Sequence, residues 1–215
     1  VRAVASSDPD PSSSVRPLES SIRTDLRGAM TYADYLDLDH LLAAQHPRSR
    51  PEHHDELLFI VQHQTSELWL KLVLHELGAA CRLLREDQLA PALKCIARVK
   101  HIQKTLTEQW SVLATLTPSE YAEFRSFLGT SSGFQSWQYR AVEFVLGHKD
   151  AAMLALFDAE PDARALLVEV LEAPSLYDEF LRHLHRAGHP VPEAVLARDV
   201  TAAHQFTPEL VPVFR

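Results

Sequence analysis

Apolar residues return every three to four positions over most of this chain, and nowhere do they alternate strictly with polar ones. The first spacing marks one face of a helix and the second a half-buried strand, so the pattern predicts an all-α protein. The strongest run begins at Pro51, which suits a first helical turn, and Glu52, Asp55 and Glu56 complement the positive end of the helix dipole. No Gly or Pro interrupts it before Gly78, and helix is expected to about Arg85. A second long helix is expected from Pro91 to about Leu116. A third is opened by Thr117-Pro118-Ser119-Glu120, which joins a capping-box spacing to a proline at the first helical position. It should end near Leu128, ahead of the loop Gly129-Thr130-Ser131-Ser132-Gly133. Helix is then expected from about Gln135 to Leu146, stopped by Gly147, with shorter helices over 149–157, 161–172 and 175–187.

The two ends read differently. Residues 1–28, with the run Ser6-Ser7-Asp8-Pro9-Asp10-Pro11-Ser12-Ser13-Ser14, have almost nothing to bury and predict a disordered tail. Residues 31–45 have mixed spacing and predict a short helix with a connector. Residues 29–215 are expected to form a single helical domain, a bundle of long antiparallel helices, and Pro208 to Arg215 resemble the entry to a further helix.

Composition narrows the function classes. A formal net charge of -8 argues against a nucleic-acid groove, which needs clustered Lys and Arg on the phosphates. Two cysteines, Cys81 and Cys95, are too few for a disulfide framework and suit a reducing compartment. No apolar run approaches the roughly 20 residues of a membrane span, and the acidic N-terminal stretch does not suit a signal or transit peptide. The expectation is a cytoplasmic protein that binds a small molecule, with neither nucleic acid nor membrane as partner.

Chemistry concentrates in a few places. Phe59, His63 and Glu67 are spaced four apart on one helix face, where an imidazole among aromatics can position a polar atom of a flat apolar ligand. A core helix with one satisfied histidine accounts for the same spacing. Tyr121 and Arg125 are also four apart, and a guanidinium beside a phenol makes a carboxylate clamp, although helical arginines are more often solvated or paired with a neighbour such as Glu120 or Glu123. The Ser131-Ser132-Gly133 loop offers a hydroxyl and backbone amides to an anion. His183, His185 and His189 cluster at a helix end, a place where imidazoles commonly just complement the dipole. His75-Glu76 lacks the second histidine of a zinc HExxH motif, and no Glu is followed three residues later by His, as a di-iron bundle requires.

Several stretches together resemble the tryptophan 2,3-dioxygenase family from about Tyr32 to the C-terminus. They are Tyr32-Ala33-Asp34-Tyr35-Leu36, the run from His53 through Trp69, and Leu106-Thr107-Glu108-Gln109-Trp110. Leu116 through Tyr121, Phe124-Arg125 with Ser131 through Ser136, and Glu172-Ala173-Pro174-Ser175-Leu176-Tyr177 extend the resemblance. It implies a helical enzyme with heme b as cofactor that adds both atoms of O2 across the indole C2–C3 bond of L-tryptophan, giving N-formylkynurenine, the entry to the kynurenine pathway. It implies that His63 acts in catalysis by orienting the indole N–H and that Phe59 packs on the indole, within a substrate-binding run that includes Ile60, Val61 and Gln62. Arg125 would take the substrate carboxylate with Tyr121 beside it, and Ser132 and Gly133 would lie at the heme edge. Tyr32, Tyr35 and Leu36 would reach into the site of an adjacent subunit, in a homotetramer that exchanges N-terminal segments.

The same resemblance sets one discrepancy. The family's iron-ligating histidine, and a Gly-, Thr- and Ser-rich loop over the substrate ammonium, lie beyond the region matched by Asp199 through His204. His189 and His204 do not match the iron ligand, and no metal ligand is assigned within this sequence. The alternative is therefore a non-catalytic helical module that keeps an indole pocket or an oligomer surface.

Overall fold

The computed structural model describes residue 19, residues 21–22, residues 24–205 and residues 207–214. Most of the expected tail over 1–28 thus lies outside the described residues. All regular structure among the described residues is helical. The chain falls into two compact units, one up to Ala44 and a second from Gln45 onward.

The N-terminal unit holds two short helices, α1 (Tyr32–Leu36) and α2 (Leu38–Leu42), where one short helix and a connector were expected. Thr31 caps α1 in a reciprocal box: its hydroxyl accepts from the Asp34 amide while the Asp34 carboxylate accepts from the Thr31 amide. Asp37 separates the pair at φ 51°, a left-handed conformation that Asp tolerates better than most residues.

The second unit is organised by α3 (His54–Arg85), a helix of 32 residues. It begins later than the position of Pro51 suggests. The His53 ring caps the Asp55 amide, and the Ser49 hydroxyl accepts from the His53 amide, so Pro51 sits in the preceding turn, joined to Arg50 by a cis peptide. Glu56, fully buried in the first turn, accepts from the amides of Arg48 and Ser49 and from the Ser49 hydroxyl. Burial alone would raise its pKa, but these donors hold the carboxyl below its ordinary value.

At Glu86-Asp87-Gln88 the chain turns back into α4 (Leu89–Glu108). The expected second helix ran unbroken to Leu116; the structure ends it at Glu108 and adds a separate turn, α5 (Trp110–Leu113). Thr105, Thr107 and Ser111 each donate a hydroxyl to a carbonyl three or four residues back, an arrangement that bends helices. Helix α6 (Pro118–Arg125) carries the expected Thr117–Glu120 capping box and passes into a 3-10 turn at Ser126–Leu128. A second 3-10 turn, Gly133–Gln135, leads to α7 (Trp137–Val145), whose start is fixed by Ser136 accepting from the Tyr139 amide.

After Gly147, at φ 99°, residues expected to be α-helical form a 3-10 segment, Ala151–Phe157. Helices α8 (Pro161–Glu172) and α9 (Leu176–Arg186) match expectation, and a short α10 (Glu193–Leu196) follows. The final stretch is a 3-10 helix, Pro208–Phe214.

Two of the three apolar clusters among this unit's described residues are built on α3, α7 and α8. Leu70, Val73 and Leu77 of α3 pack with Val99 and Ile102 of α4 and Val142 of α7, and Ala141, Phe144, Phe157, Leu167 and Leu171 join α7 to α8. Ion pairs link the helices as well. Arg98 reaches Glu76, and His183 and Arg186 of α9 both reach Asp87 at the α3–α4 turn. His183 therefore serves an interhelical contact. Cys81 and Cys95 are free.

Candidate functional site

With α3 held on two sides, its remaining face opens into a cavity of about 1080 Å³. Phe59, Gln62, His63, Ser66, Glu67 and Leu70 line it from α3, at the spacing that puts every third or fourth residue on one face. Trp110 and Leu113 of α5, Tyr121 and Arg125 of α6, the segment 131–136, and Trp137, Arg140 and Glu143 of α7 complete the walls. The volume is at the top of the range for small-molecule sites, roughly 300–1,000 Å³. It has room for more than one amino acid.

Phe59 is the hub of the aromatic wall. Its ring lies 4.2 Å from His63, 5.5 Å from Tyr121 and 5.8 Å from the fully buried Phe124, between centroids. Tyr121 and Phe124 meet edge to face at 5.4 Å. Such tilted and T-shaped pairs fix ring planes, so a flat ligand meets a preset surface. His63 Nδ1 lies 2.8 Å from the Phe59 carbonyl. A carbonyl only accepts, so Nδ1 carries a proton, and in the neutral imidazole Nε2 is the acceptor.

The polar groups sit on defined supports. Arg125 donates from Nη1 to the Gly129 carbonyl at 2.9 Å, which ties the guanidinium to the loop that follows its own helix. The Ser132 hydroxyl accepts from the Phe134 amide, and the Ser132 amide donates to Gln135, so the Ser132-Gly133 corner is a capped turn. Gln138 donates to both the carbonyl and the carboxylate of Glu67, and Gln109 donates to the Ser66 hydroxyl at the bend between α4 and α5. Arg140 is 7% exposed and pairs with Glu143 at 2.6 Å, its guanidinium carbon 5.0 Å from the Tyr139 ring centre. Its Nε is buried with no hydrogen-bond partner, alone in this among the side-chain atoms of the described residues.

Of the residues singled out in the sequence, Phe59, Gln62, His63, Tyr121, Arg125, Ser132 and Gly133 line this one cavity. Ile60 and Val61 are not among its lining residues, and Val61 is exposed. Tyr32, Tyr35 and Leu36 are exposed on α1 of the N-terminal unit. Trp110, Phe134, Trp137, Arg140 and Glu143 also line the cavity and were not singled out. Trp110 and Phe134 fell inside the resembling stretches without a role. For Arg140 and Glu143 the signal was an opposite-charge pair three apart inside a largely apolar helix.

The class this defines is an all-α protein with one aromatic-walled cavity in which an imidazole acceptor and guanidinium cations stand at separate points. A sequence profile of the tryptophan 2,3-dioxygenase family matches residues 18–160. The tryptophan 2,3-dioxygenase of Arthrobacter sp. (strain FB24) is 66% identical over 200 residues, covering 93% of this chain and 70% of that protein. That of Kineococcus radiotolerans is 68% identical over the same shares, and that of Xanthomonas campestris pv. campestris (strain B100) 59% identical, with 67% of its length covered. The chain belongs to the tryptophan 2,3-dioxygenase family.

Proposed function

We propose that the cavity binds L-tryptophan and that the enzyme oxidises it with O2 to N-formylkynurenine, the first step of tryptophan catabolism. The observation that carries this reading is the convergence of Phe59, His63 and Arg125 on one cavity. The substrate needs a flat apolar wall for its indole, an acceptor for the indole N–H and a cation for its carboxylate. The Phe59 ring, His63 Nε2 and the Arg125 guanidinium supply one each, with Tyr121 closing the wall between indole and carboxylate. Holding the amino acid at three points fixes which ring edge faces the interior, and orientation of this kind can supply a large part of a rate enhancement. His63 Nε2 holds the indole proton by hydrogen bond.

Heme b fits the same cavity by its walls. Trp110, Leu113, Leu128, Phe134 and Trp137 are apolar or aromatic, Ser132-Gly133 offers a capped turn for close approach, and Arg140 offers a buried cation toward an acid edge. Bound heme would supply the iron at which O2 is activated. No residue of this chain is assigned as the iron ligand. The assembly we propose is a homotetramer in the cytoplasm, in which Tyr32, Tyr35 and Leu36 of one subunit contribute to the substrate site of another; all three are exposed apolar or aromatic side chains.

The test is product analysis with labelled oxygen. Heme-loaded protein incubated with L-tryptophan under 18O2 should yield N-formylkynurenine carrying both labelled atoms. Absence of that product, or incorporation from water, overturns the reading.

A further inference from the structure

We propose that Gln109 and Gln138 are positioning residues: they tie the two tryptophan walls of the cavity, Trp110 and Trp137, to α3 and so set the slot for a flat ring. The inference rests on the reading of this cavity as the heme and indole site, and it names what fixes the spacing there.

Neither glutamine is a lining residue, but each is the chain neighbour of a tryptophan that is. Gln109 precedes Trp110 at the break between α4 and α5, and Gln138 follows Trp137 in the first turn of α7. Both reach one place on α3. The Gln109 amide donates to the Ser66 hydroxyl at 2.5 Å. The Gln138 amide donates to the carbonyl and the carboxylate of the next residue, Glu67, at 3.0 and 2.8 Å. Successive residues of a helix diverge by about 100°, so two adjacent positions can serve two walls. Ser66 and Glu67 line the cavity themselves, one turn beyond His63.

Burial does not supply this hold at Trp110. Its side chain is 60% exposed, and α5 is a single turn of four residues, far short of the roughly 12 that an isolated helix needs. No side chain caps the start of α5; the Gln109 amide is spent on Ser66, 43 positions away in the chain.

The two ties differ in sense, which gives a signature. The Ser66 hydroxyl donates to the Gln62 carbonyl while accepting from Gln109, and a hydroxyl can exchange these roles. The two Glu67 oxygens that Gln138 reaches only accept. A carboxylate is therefore tolerated at position 109, where Ser66 can turn its proton toward it, and is repelled at position 138.

The chain has three tryptophans, Trp69, Trp110 and Trp137, so labelling with 5-fluorotryptophan gives one fluorine resonance for each. Trp→Phe substitutions assign them. Gln109→Leu should move the Trp110 resonance and Gln138→Leu the Trp137 resonance, each leaving Trp69 in place. Gln109→Glu should return Trp110 close to its native position, whereas Gln138→Glu should displace Trp137 at least as far as the leucine does. Metal-free protoporphyrin IX, a flat ring with no iron to be ligated, should bind each leucine variant roughly three- to tenfold more weakly, because binding must then also order the wall. Native resonances in both leucine variants, equal displacement by the two glutamates, or undiminished porphyrin binding in both leucine variants overturns the proposal. If a Gln138 variant does not fold, as far-UV dichroism would show, Gln109→Leu against Gln109→Glu decides. Failure of the native chain to bind the porphyrin removes the heme reading instead, and the resonances still decide whether the glutamines hold the tryptophans.

Discussion

His63 donates its Nδ1 proton to the carbonyl of Phe59, one helical turn earlier, at 2.8 Å. A single backbone contact thus sets both the tautomer and the ring plane of the imidazole, whose centroid lies 4.2 Å from the Phe59 ring. Substituting either residue disturbs the other. His63→Ala is expected to lower kcat/KM for L-tryptophan roughly 5- to 100-fold, the range for losing a partner to a polar group in a dry site. With 1-methyltryptophan, which has no N–H to offer, the same change should cost much less. Equal losses on the two substrates would show that His63 acts by something other than that hydrogen bond.

Arg125 gives a matching test at the other end of the substrate. Its Nη1 is committed to the Gly129 carbonyl, which leaves the rest of the guanidinium to bind an anion. Arg125→Ala should raise KM for L-tryptophan by roughly 10- to 100-fold, as for a charged hydrogen bond of about 1.5–3 kcal/mol. Binding of tryptamine, the same indole without a carboxylate, should be nearly unchanged. A comparable loss on tryptamine would mean that the substitution unravels the 126–129 turn and that no carboxylate contact was removed.

Helix positions were legible because spacing and caps are local. The Thr117–Glu120 box, the Gly147 stop and α8 could be read directly from neighbouring residues. The start of α3 was not, because it depends on Glu56 and Ser49 bonding seven positions apart in the chain, a contact that outweighs the preference of Pro51 for a first turn. The break at Gln109 was missed for a similar reason: threonine and serine hydroxyls bending a helix leave the apolar spacing intact. At the site, α3 and α6 were each readable as faces. That they line one cavity with Arg140 and Glu143 of α7 is a tertiary fact, invisible to periodicity.

Glu56 is expected to behave as a structural carboxylate. It accepts three hydrogen bonds from the Arg48–Ser49 turn and is inaccessible to solvent. Glu56→Gln places an amide where only acceptors fit and should cost about 2–4 kcal/mol, judged by chemical denaturation. A native-like midpoint would show that the turn tolerates an uncharged partner.

A pH dependence follows from the contact between α9 and the segment after α10. Asp178 accepts from the Ser175 hydroxyl and amide and from Arg198, and His204 Nε2 lies 3.2 Å from the Ser175 hydroxyl and 3.4 Å from Asp178. Burial holds the His204 pKa below its usual 6.5, with Asp178 opposing and Arg198 reinforcing the shift. The folded group binds a proton less readily than the unfolded one, so its contribution is complete above about pH 6.5 and declines as pH falls below that. Thermal melts from pH 7.5 to 5 should show stability dropping in that window, and His204→Gln should flatten the drop. A variant with the native slope would place the titration elsewhere.

Lys149 carries the last prediction. Its Nζ donates to the carbonyls of Val170, Leu171 and Ala173, so one ammonium closes the C-terminal end of α8, where helical carbonyls lack partners in the chain. Lys149 is 6% exposed, and burial lowers its pKa from 10.5 to about 8. At pH 7 it remains charged, with one N–H for each carbonyl. Lys149→Met keeps the aliphatic bulk and strands the three acceptors, which should cost about 3–5 kcal/mol and lower Tm by roughly 10 °C. The titration adds a second signature. Between about pH 8 and 10.5 the unfolded lysine holds a proton that the folded one has released, so this group makes stability rise with pH there. The methionine variant should be less stable at pH 7 and should also lack that rise; a variant as stable as the native chain at pH 7 would mean that water replaces the ammonium at the end of α8.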